Sequence, residues 1–270
     1  MRQCRLFIAV LFALILTTPA LAALIPVDLS ISASTSFADE SVSGGLDVSH
    51  NATMSIVQGG ITTQSTVNDT AVTGFNPLAG LLSDINDGIS IGSLVSGRGL
   101  GAAPGYYFDF DFLLQNNSLT TVYFLSFVLQ FDNLTSASGD DTFADSKILL
   151  FDADDTEFFF SDLTTDTLFG DEKNGAPTNT FGVTQIDAGS FAFDIVLGAG
   201  AMNSFRGELQ LIGEEFNGQG SFGMDSFASL SLAAARPLDT PPPQIPLPAS
   251  GWLFALGLFL VTQRQLRKLP

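Results

Sequence analysis

Residues 106–131, YYFDFDFLLQNNSLTTVYFLSFVLQF, decide the fold class of this 270-residue chain. Aromatic and acidic residues alternate in the first half, at Phe108, Asp109, Phe110, Asp111 and Phe112. The second half repeats the period of two with apolar residues at Tyr123, Leu125, Phe127, Leu129 and Phe131. Between the halves, Asn116-Asn117-Ser118 has the composition of a turn. The pattern predicts two long antiparallel strands, each with one face toward a core.

Further strand patterns lie on both sides of this segment. Upstream, residues 27–37 alternate apolar and hydroxyl side chains, and residues up to 76 form short Val, Ile and Thr segments broken by Gly44-Gly45, Gly59-Gly60 and Asn68-Asp69, as hairpins are. Residues 77–105 are richer in Gly and Ser, and we read them as a long connection with a turn or one short helix at 83–88. Downstream strands are predicted at 147–151, 157–160, 181–187, 191–197, 207–212 and 222–232.

About ten strands at spacings of about 8–12 residues, without a convincing amphipathic helix, predict an all-β fold. We expect an antiparallel β-sandwich, jelly-roll-like, with an N-terminal signal helix and a short C-terminal hydrophobic helix outside it. The 25 phenylalanines, most of them in predicted strands, are expected to fill the space between two sheets. Residues 23–235 are expected to form one body, because the first hundred residues carry few large apolar side chains.

The N-terminal residues 1–22 have the composition of a secretory signal peptide. Arg2 and Arg5 precede an apolar stretch at 6–16, and the small residues Ala20 and Ala22 mark the cleavage site. The single cysteine, Cys4, lies within this segment. The mature chain is therefore expected to contain no disulfide and no thiol chemistry.

The C-terminal residues 245–270, IPLPASGWLFALGLFLVTQRQLRKLP, have three parts in order: a proline-bearing hexapeptide, an apolar run and a basic end. Residues 249–262 carry no charge, and as a helix they would reach about 21 Å, short of the roughly 30 Å of a bilayer core. Arg264, Arg267 and Lys268 would hold the C-terminus in the cytoplasm. We expect a transient membrane anchor, preceded by a semi-rigid proline-rich spacer at 236–244.

The sorting motif of this tail is Pro246, Leu247, Pro248, Ala249 and Ser250. With the apolar run and the basic end, it resembles the PEP-CTERM sorting domain in its VPLPA-type variant, from which it departs by Ile245 in place of valine and by a sparser basic end. The resemblance implies processing by a membrane protease of the exosortase or archaeosortase kind, in a Gram-negative bacterium that makes exopolysaccharide. Residues 247–251 also resemble the LPxTG signal of sortase substrates with serine in place of threonine, although the doubled proline favours the exosortase class.

Charge and residue counts exclude several classes of function. All 28 acidic residues but only five of the ten Lys and Arg lie between the two ends, which leaves this part with a net charge near −23. Such a surface repels nucleic acid and anionic lipid. His50 is the only histidine, so histidine-dependent zinc sites and Ser-His-Asp triads are excluded by count. A carboxylate-pair hydrolase is left open by count, but the body has no tryptophan to grip sugar, and we expect a non-catalytic protein.

Two acidic clusters flank the predicted strand at 147–151. They comprise Asp140, Asp141 and Asp145 before it, and Asp152, Asp154 and Asp155 after it. Calcium takes carboxylate oxygens of this kind, but Asp145 and Asp152 would be about 23 Å apart along an extended strand, so one ion cannot use both clusters. We expect no cofactor, with two separate Ca²⁺ sites as the alternative to solvated loop ends.

The sequence therefore predicts a secreted, cell-surface protein whose body contributes structural or adhesive contacts to the exopolysaccharide matrix. The expected partners are an exosortase-type protease, the membrane before processing, and exopolysaccharide. The first alternative is a calcium-dependent carbohydrate-binding module at the cell surface. The second is a sortase-type wall-anchored protein.

Overall fold

The computed structural model describes residues 24–39 and 48–239, and within these ranges every regular element is a strand. The predicted signal segment with Ala20 and Ala22, and the sorting motif from Pro246 to Ser250 with its apolar run, lie outside the described residues. Residues Ala22–Asp239 form a single compact unit.

Fifteen strands form two antiparallel sheets. The strands are β1 (Leu29–Asp39), β2 (Ser49–Gln58), β3 (Ile61–Asn68), β4 (Ala71–Thr73), β5 (Leu78–Leu82), β6 (Gly88–Arg98), β7 (Gly101–Asn116), β8 (Tyr123–Ser138), β9 (Thr142–Phe151), β10 (Glu157–Asp166), β11 (Glu172–Lys173), β12 (Ala176–Pro177), β13 (Gln185–Leu197), β14 (Met202–Glu215) and β15 (Ser221–Pro237). One sheet has eight strands in the order β12-β11-β10-β9-β14-β7-β1-β5, and the other has seven in the order β13-β8-β15-β6-β2-β3-β4. The predicted all-β sandwich is confirmed, with more strands than the ten expected.

The long connection predicted at residues 77–105 is wrong. Strands β5 and β6 and the start of β7 occupy it, and β6 is a central strand that pairs with both β15 and β2. Its inward side chains include Ile89, Ile91 and Val95, each at most 2% exposed. Glycine and serine fill many of the other positions of β6, and this composition concealed the alternation. Similarly, the two strands predicted at 181–187 and 191–197 are one strand, β13.

The two strands of the segment at 106–131 do not pair with each other. Strand β7 lies between β14 and β1, whereas β8 lies between β13 and β15 in the facing sheet. The turn between them carries the chain from one sheet to the other. The buried Asn116 side chain fixes this corner, because its Nδ2 donates to the carbonyl oxygens of Thr121 at 2.8 Å and Gly198 at 2.7 Å.

Phenylalanine supplies only part of the core between the sheets: seven phenylalanines lie in the buried cluster beside a larger number of leucines, and six others among the described residues are exposed. Phe110 and Phe112 from β7 face Phe127 from β8, and each is at most 1% exposed. The Phe112 ring lies 4.7 Å from that of Phe205 and 5.7 Å from that of Phe127, measured between centroids. Burying each such side chain contributes about 2–3 kcal/mol. The core is one continuous cluster that spans both sheets.

A polar layer interrupts this core near one end of β8. The fully buried Asn133 donates from Nδ2 to the Ser146 carbonyl oxygen at 3.0 Å and the Ser161 carbonyl oxygen at 3.2 Å, both in the opposite sheet. Its Oδ1 accepts from Ser226 Oγ at 2.8 Å. Because each buried polar group needs its partner, this layer favours one alignment of the two sheets.

Candidate functional site

An open groove of about 590 Å³ crosses the outer face of the eight-stranded sheet. We call it the outer groove, and its lining includes Ser32 and Ser34 of β1, Leu81 of β5, Asp111 and Leu113 of β7, Ser204 and Arg206 of β14, and Asp152 and Asp155 of the β9–β10 turn. Its volume falls within the range of ligand pockets, about 300–1,000 Å³.

Strand register explains why these side chains meet. Arg206 lies opposite Asp111, which lies opposite Ser34, so one row runs across three strands. A second row places Ser204 opposite Leu113, and Leu113 opposite Ser32, which in turn lies opposite Leu81. Directly opposite residues of antiparallel strands point to the same face. The two rows therefore form a continuous platform of hydroxyl, charged and apolar groups.

Arg206 is the central cation of the groove. Its guanidinium lies over the Phe151 ring at 4.1 Å from the centroid. Its Nε is 3.1 Å from Asp155 Oδ1, and its Nη1 pairs with Glu208 Oε1. The ring and the two carboxylates together orient the planar guanidinium within the groove.

The groove suits a neutral, hydroxyl-rich ligand. Its serine hydroxyls can donate or accept hydrogen bonds, its carboxylates can accept them, and Leu81 and Leu113, 61% and 44% exposed, offer apolar surface. The acidic side chains around Arg206 oppose an anionic ligand at the same place.

The structure brings part of one predicted acidic cluster into the outer groove. Asp152 and Asp155 line it. Asp152 Oδ1, however, accepts from the backbone N–H groups of Asp154 and Thr156, both at 2.9 Å, so that oxygen organises the turn. Asp154 is exposed beside the groove.

The other predicted cluster is divided. Asp140 and Asp141 lie in the β8–β9 turn, at the opposite end of β9 from the outer groove. Asp145 lies within β9, with its Oδ2 3.6 Å from Lys147 Nζ, which is 3.2 Å from Asp162 Oδ2. Burial raises the pKa of Asp145 to about 6, while Lys147 opposes the shift and Asp162 adds to it.

Within residues 24–39 and 48–239, no group of three or more His, Cys, Asp or Glu side chains is placed to hold a metal ion. Several of the predicted ligands have other partners, such as the Asp154 amide for Asp152 and Arg206 for Asp155. The calcium alternative stays a prediction. In the same described ranges, no helix is long and apolar enough to span a bilayer.

Three buried carboxylates that the sequence did not single out hold turns together. Asp87 Oδ2 accepts from the backbone N–H groups of Gly59, Ser83 and Asp84 at 2.8–2.9 Å. Burial opposes its ionisation, but these hydrogen bonds lower the pKa of Asp87 below its usual value. Asp171 and Glu215 each accept from three backbone amides in the same way. The sequence did contain an indication of these turns, since each of the three acids lies within three residues of a glycine.

The sequence also did not identify Asp111 and Arg206 of the outer groove as parts of one binding surface. From the sequence, Asp111 is only the polar half of an alternating strand, and Arg206 is an isolated cation. They are about ninety-five positions apart in the chain, so only the pairing of β7 with β14 reveals the row that they share.

No family model and no curated protein matches this chain. Among solved structures, a structure of infectious bursal disease virus Gx strain is 13% identical, with a TM-score of 0.19 over 83% of this chain and 60% of the viral chain. A structure of the Gt strain is 10% identical, with a TM-score of 0.18 over 93% of this chain and 77% of the other. A crystal structure of the VP2 subviral particle of the same virus is 10% identical, with a TM-score of 0.15 over 88% and 73%. Similarities at this level carry no argument about function.

Proposed function

We propose that this chain is a secreted, non-catalytic cell-surface protein of a Gram-negative bacterium, sorted by an exosortase-type membrane protease. Its body is a structural or adhesive component of the exopolysaccharide matrix. In this proposal the outer groove is the surface that contacts polysaccharide. The finer description of the sandwich as jelly-roll-like belongs to the same proposal, supported by the alternation of consecutive strands between the facing sheets from β4 to β9 and from β12 to β15.

The observation that carries the proposal is the three-part C-terminal sequence, with its motif from Pro246 to Ser250, its apolar run and its basic end. The test is mass spectrometry of the mature C-terminus from the native cell. Cleavage between Pro248 and Gly251 is expected. A surface form that still carries Trp252 and Lys268 would contradict the sorting proposal and leave an ordinary tail anchor.

Three buried carboxylates have structural roles that fit a non-catalytic body. Asp87, Asp171 and Glu215 are the most buried acids among the described residues, and each is hydrogen-bonded to backbone amides of a turn. Burial opposes ionisation of Asp87 and Asp171, but their hydrogen bonds lower the pKa of both carboxyls below the usual value, whereas a general acid needs a proton that it can donate near neutral pH.

The groove itself is tested by polysaccharide binding. Arg206→Gln removes the central guanidinium and is expected to weaken binding of the host's exopolysaccharide about tenfold, the loss of about 1.4 kcal/mol of hydrogen bonding to a charged donor. Asp111→Asn keeps the shape of the row and is expected to have a smaller effect. The measurement is retention of the purified chain on immobilised exopolysaccharide.

The matched control is Arg98→Gln, which removes an exposed arginine at the end of β6 in the other sheet. It is expected to leave retention unchanged. Equal losses in both arginine variants would mean that the sum of charges, rather than the groove, governs binding.

A further inference from the structure

Among the strands that the structure describes, one forms a long sheet edge. Three of the four edge strands are short: β12 has two residues, β4 has three and β5 has five. At the β5 edge, Gln58 Nε2 also donates to the Leu81 carbonyl oxygen at 2.8 Å. The fourth edge strand, β13, has 13 residues, and β8 is its only strand partner within the described part of the chain.

Strand β13 carries few of the features that protect sheet edges. Proteins usually block such edges with lysine, proline, bulges or short strands. The sequence of β13, QIDAGSFAFDIVL, contains no Lys, Arg or Pro, and its register with β8 is unbroken. Lys173 covers only its start, where the ammonium donates to the Ile186 carbonyl oxygen at 2.7 Å and pairs with Asp187 at 3.1 Å. We call the remaining residues, 188–197, the open edge.

The two faces of the open edge are suited to a partner strand. Its outer face carries the exposed side chains of Ala188, Ser190, Ala192, Asp194 and Val196, which are small or apolar except for one aspartate. Its inner face carries Phe191 and Phe193, which are only half-buried. Their ring centroids lie 4.9 Å from Phe159 and 5.0 Å from Phe158 of β10, so the aromatic core reaches this margin without closing over it.

We infer that the open edge pairs with the open edge of a second copy of this chain, antiparallel and about a two-fold axis. A symmetric pair keeps the inner face of one strand beside the inner face of the other, so both phenylalanine faces join one core. An axis at Ala192 sets Asp194 opposite Ser190 and Phe193 opposite Phe191. The two seven-stranded sheets then become one continuous sheet.

The chemistry favours a second copy over a different partner. Strand pairing is mostly backbone hydrogen bonding, and the partner needs only an equally long, uncovered strand. The open edge is such a strand, and its single carboxylate does not face its symmetry mate in this register. The pairing goes beyond the proposed function, because it depends neither on the outer groove nor on the C-terminal sequence.

Cysteine cross-linking tests the pairing. The full chain contains one cysteine, Cys4, which is replaced by serine in every variant. Ala188→Cys, Ser190→Cys and Ala192→Cys are then made singly, purified as the full chain in mild detergent and oxidised with copper phenanthroline. With the axis at Ala192, only the Ala192→Cys side chain lies opposite its own copy, with Cβ atoms about 4.5–5.5 Å apart, close to disulfide range. Ser190→Cys and Ala188→Cys would lie about 13 and 26 Å from their copies, so a disulfide there would report a shifted register.

The matched control is Ala71→Cys, an exposed alanine in the short edge strand β4 of the same sheet. The inference expects a disulfide-linked dimer at least about fivefold more abundant for the best open-edge variant than for Ala71→Cys. Adding Ala188→Lys to the Ala192→Cys variant should reduce the dimer, because the lysine would lie opposite Val196. Equal cross-linking at Ala71 overturns the inference. The absence of cross-linking at all three open-edge positions overturns it too, and that result is expected if another segment of this chain covers the edge.

Discussion

Asp145 combines burial with an incomplete set of partners. One oxygen, Oδ1, is buried without a hydrogen bond, while Oδ2 lies near Lys147. The pKa of this carboxyl is raised from 3.8 to about 6. Because the folded chain holds the proton more tightly than the unfolded chain does, the free energy of unfolding falls as pH rises from about 4 to about 6.

Asp145→Asn is therefore expected to stabilise the protein at pH 7.5 by about 1–3 kcal/mol, since the neutral amide avoids the cost of ionisation in this site. The gain should largely vanish at pH 4. Urea unfolding at both pH values measures it. Asp154→Asn, at an exposed position, is the control and should change stability by less than about 0.5 kcal/mol at either pH. A gain that is the same at both pH values would contradict the assigned cause.

Asn133 is the centre of the polar layer between the sheets. Asn133→Ala removes the donor to two carbonyl oxygens and the acceptor for Ser226, all of them buried. We expect a loss of about 2–4 kcal/mol in the free energy of unfolding, measured by urea denaturation, because several buried polar groups lose their partner together.

The control on the same strand is Ser138→Ala. Ser138 Oγ bonds to Ser221 Oγ at an exposed position, where water replaces the lost partner. Its loss should stay below about 1 kcal/mol. If the two variants were equally stable, the polar layer would not contribute as described.

Strand spacing near β15 depends on a phenylalanine between two glycines. Phe222 lies opposite Gly97 of β6 and packs against Gly213 of β14 in the facing sheet. A Cβ on Gly213 would lie 2.6 Å from the Phe222 ring, and one on Gly97 would lie 2.1 Å from it. The two glycines therefore make room for one buried aromatic side chain.

Gly213→Ala is expected to destabilise the protein by about 1–3 kcal/mol, because the ring must shift in a closely packed core. Combining it with Phe222→Leu should cost less than the sum of the two single changes, and a double-mutant cycle in urea measures this coupling. Gly92→Ala is the control, since its Cβ would meet Phe227 only at an ordinary 3.7 Å. Strict additivity would show that the glycine and the ring do not compete for space.

The strands were predictable where apolar and polar residues alternate strongly, as in β7 and β8. The β2–β3 and β3–β4 turns were also predictable, because Gly59-Gly60 and Asn68-Asp69 occur there and adopt positive φ angles at Gly59, Gly60 and Asp69. Strand β6 was not, since glycine and serine between its inward isoleucines resemble a loop. The pairing of strands was not predictable either. Strands β7 and β8 are adjacent in sequence, but whether they pair in one sheet or lie in facing sheets depends on the other strands.

The net negative charge of the body destabilises its compact folded state. About 23 net negative charges between the two ends repel one another, and dissolved salt screens this repulsion. Raising NaCl from about 10 mM to about 500 mM is expected to stabilise the body by about 1 kcal/mol or more, measured by the urea midpoint. A fall in stability with salt would mean that ion pairs such as Lys147–Asp162 outweigh the net repulsion.

Calcium at matched ionic strength separates screening from binding. Screening alone predicts nearly the same curve for CaCl₂ and NaCl. A specific site predicts a further rise at submillimolar calcium that a chelator reverses, because an ion bound only to the folded state stabilises it by mass action. That rise would support the calcium-dependent alternative, whereas its absence would count against it.

The outer groove was predictable from the sequence only in part. Its acidic turn was visible, since Asp152, Asp154 and Asp155 are clustered in the chain. The row of Arg206, Asp111 and Ser34 was not, because it joins three strands that are distant in sequence and needs their register to within one residue.

The position of β15 has a consequence for synthesis. This last strand of the described residues lies between β8 and β6, so without it the seven-stranded sheet separates into a two-stranded and a four-stranded piece. A nascent chain that stops before Ser221 leaves the inner face of Leu129 and Ile91 open to water and to proteases. The seven-stranded sheet can therefore be completed only after residues 221–237 have been synthesised, which places its closure late in the synthesis of the body.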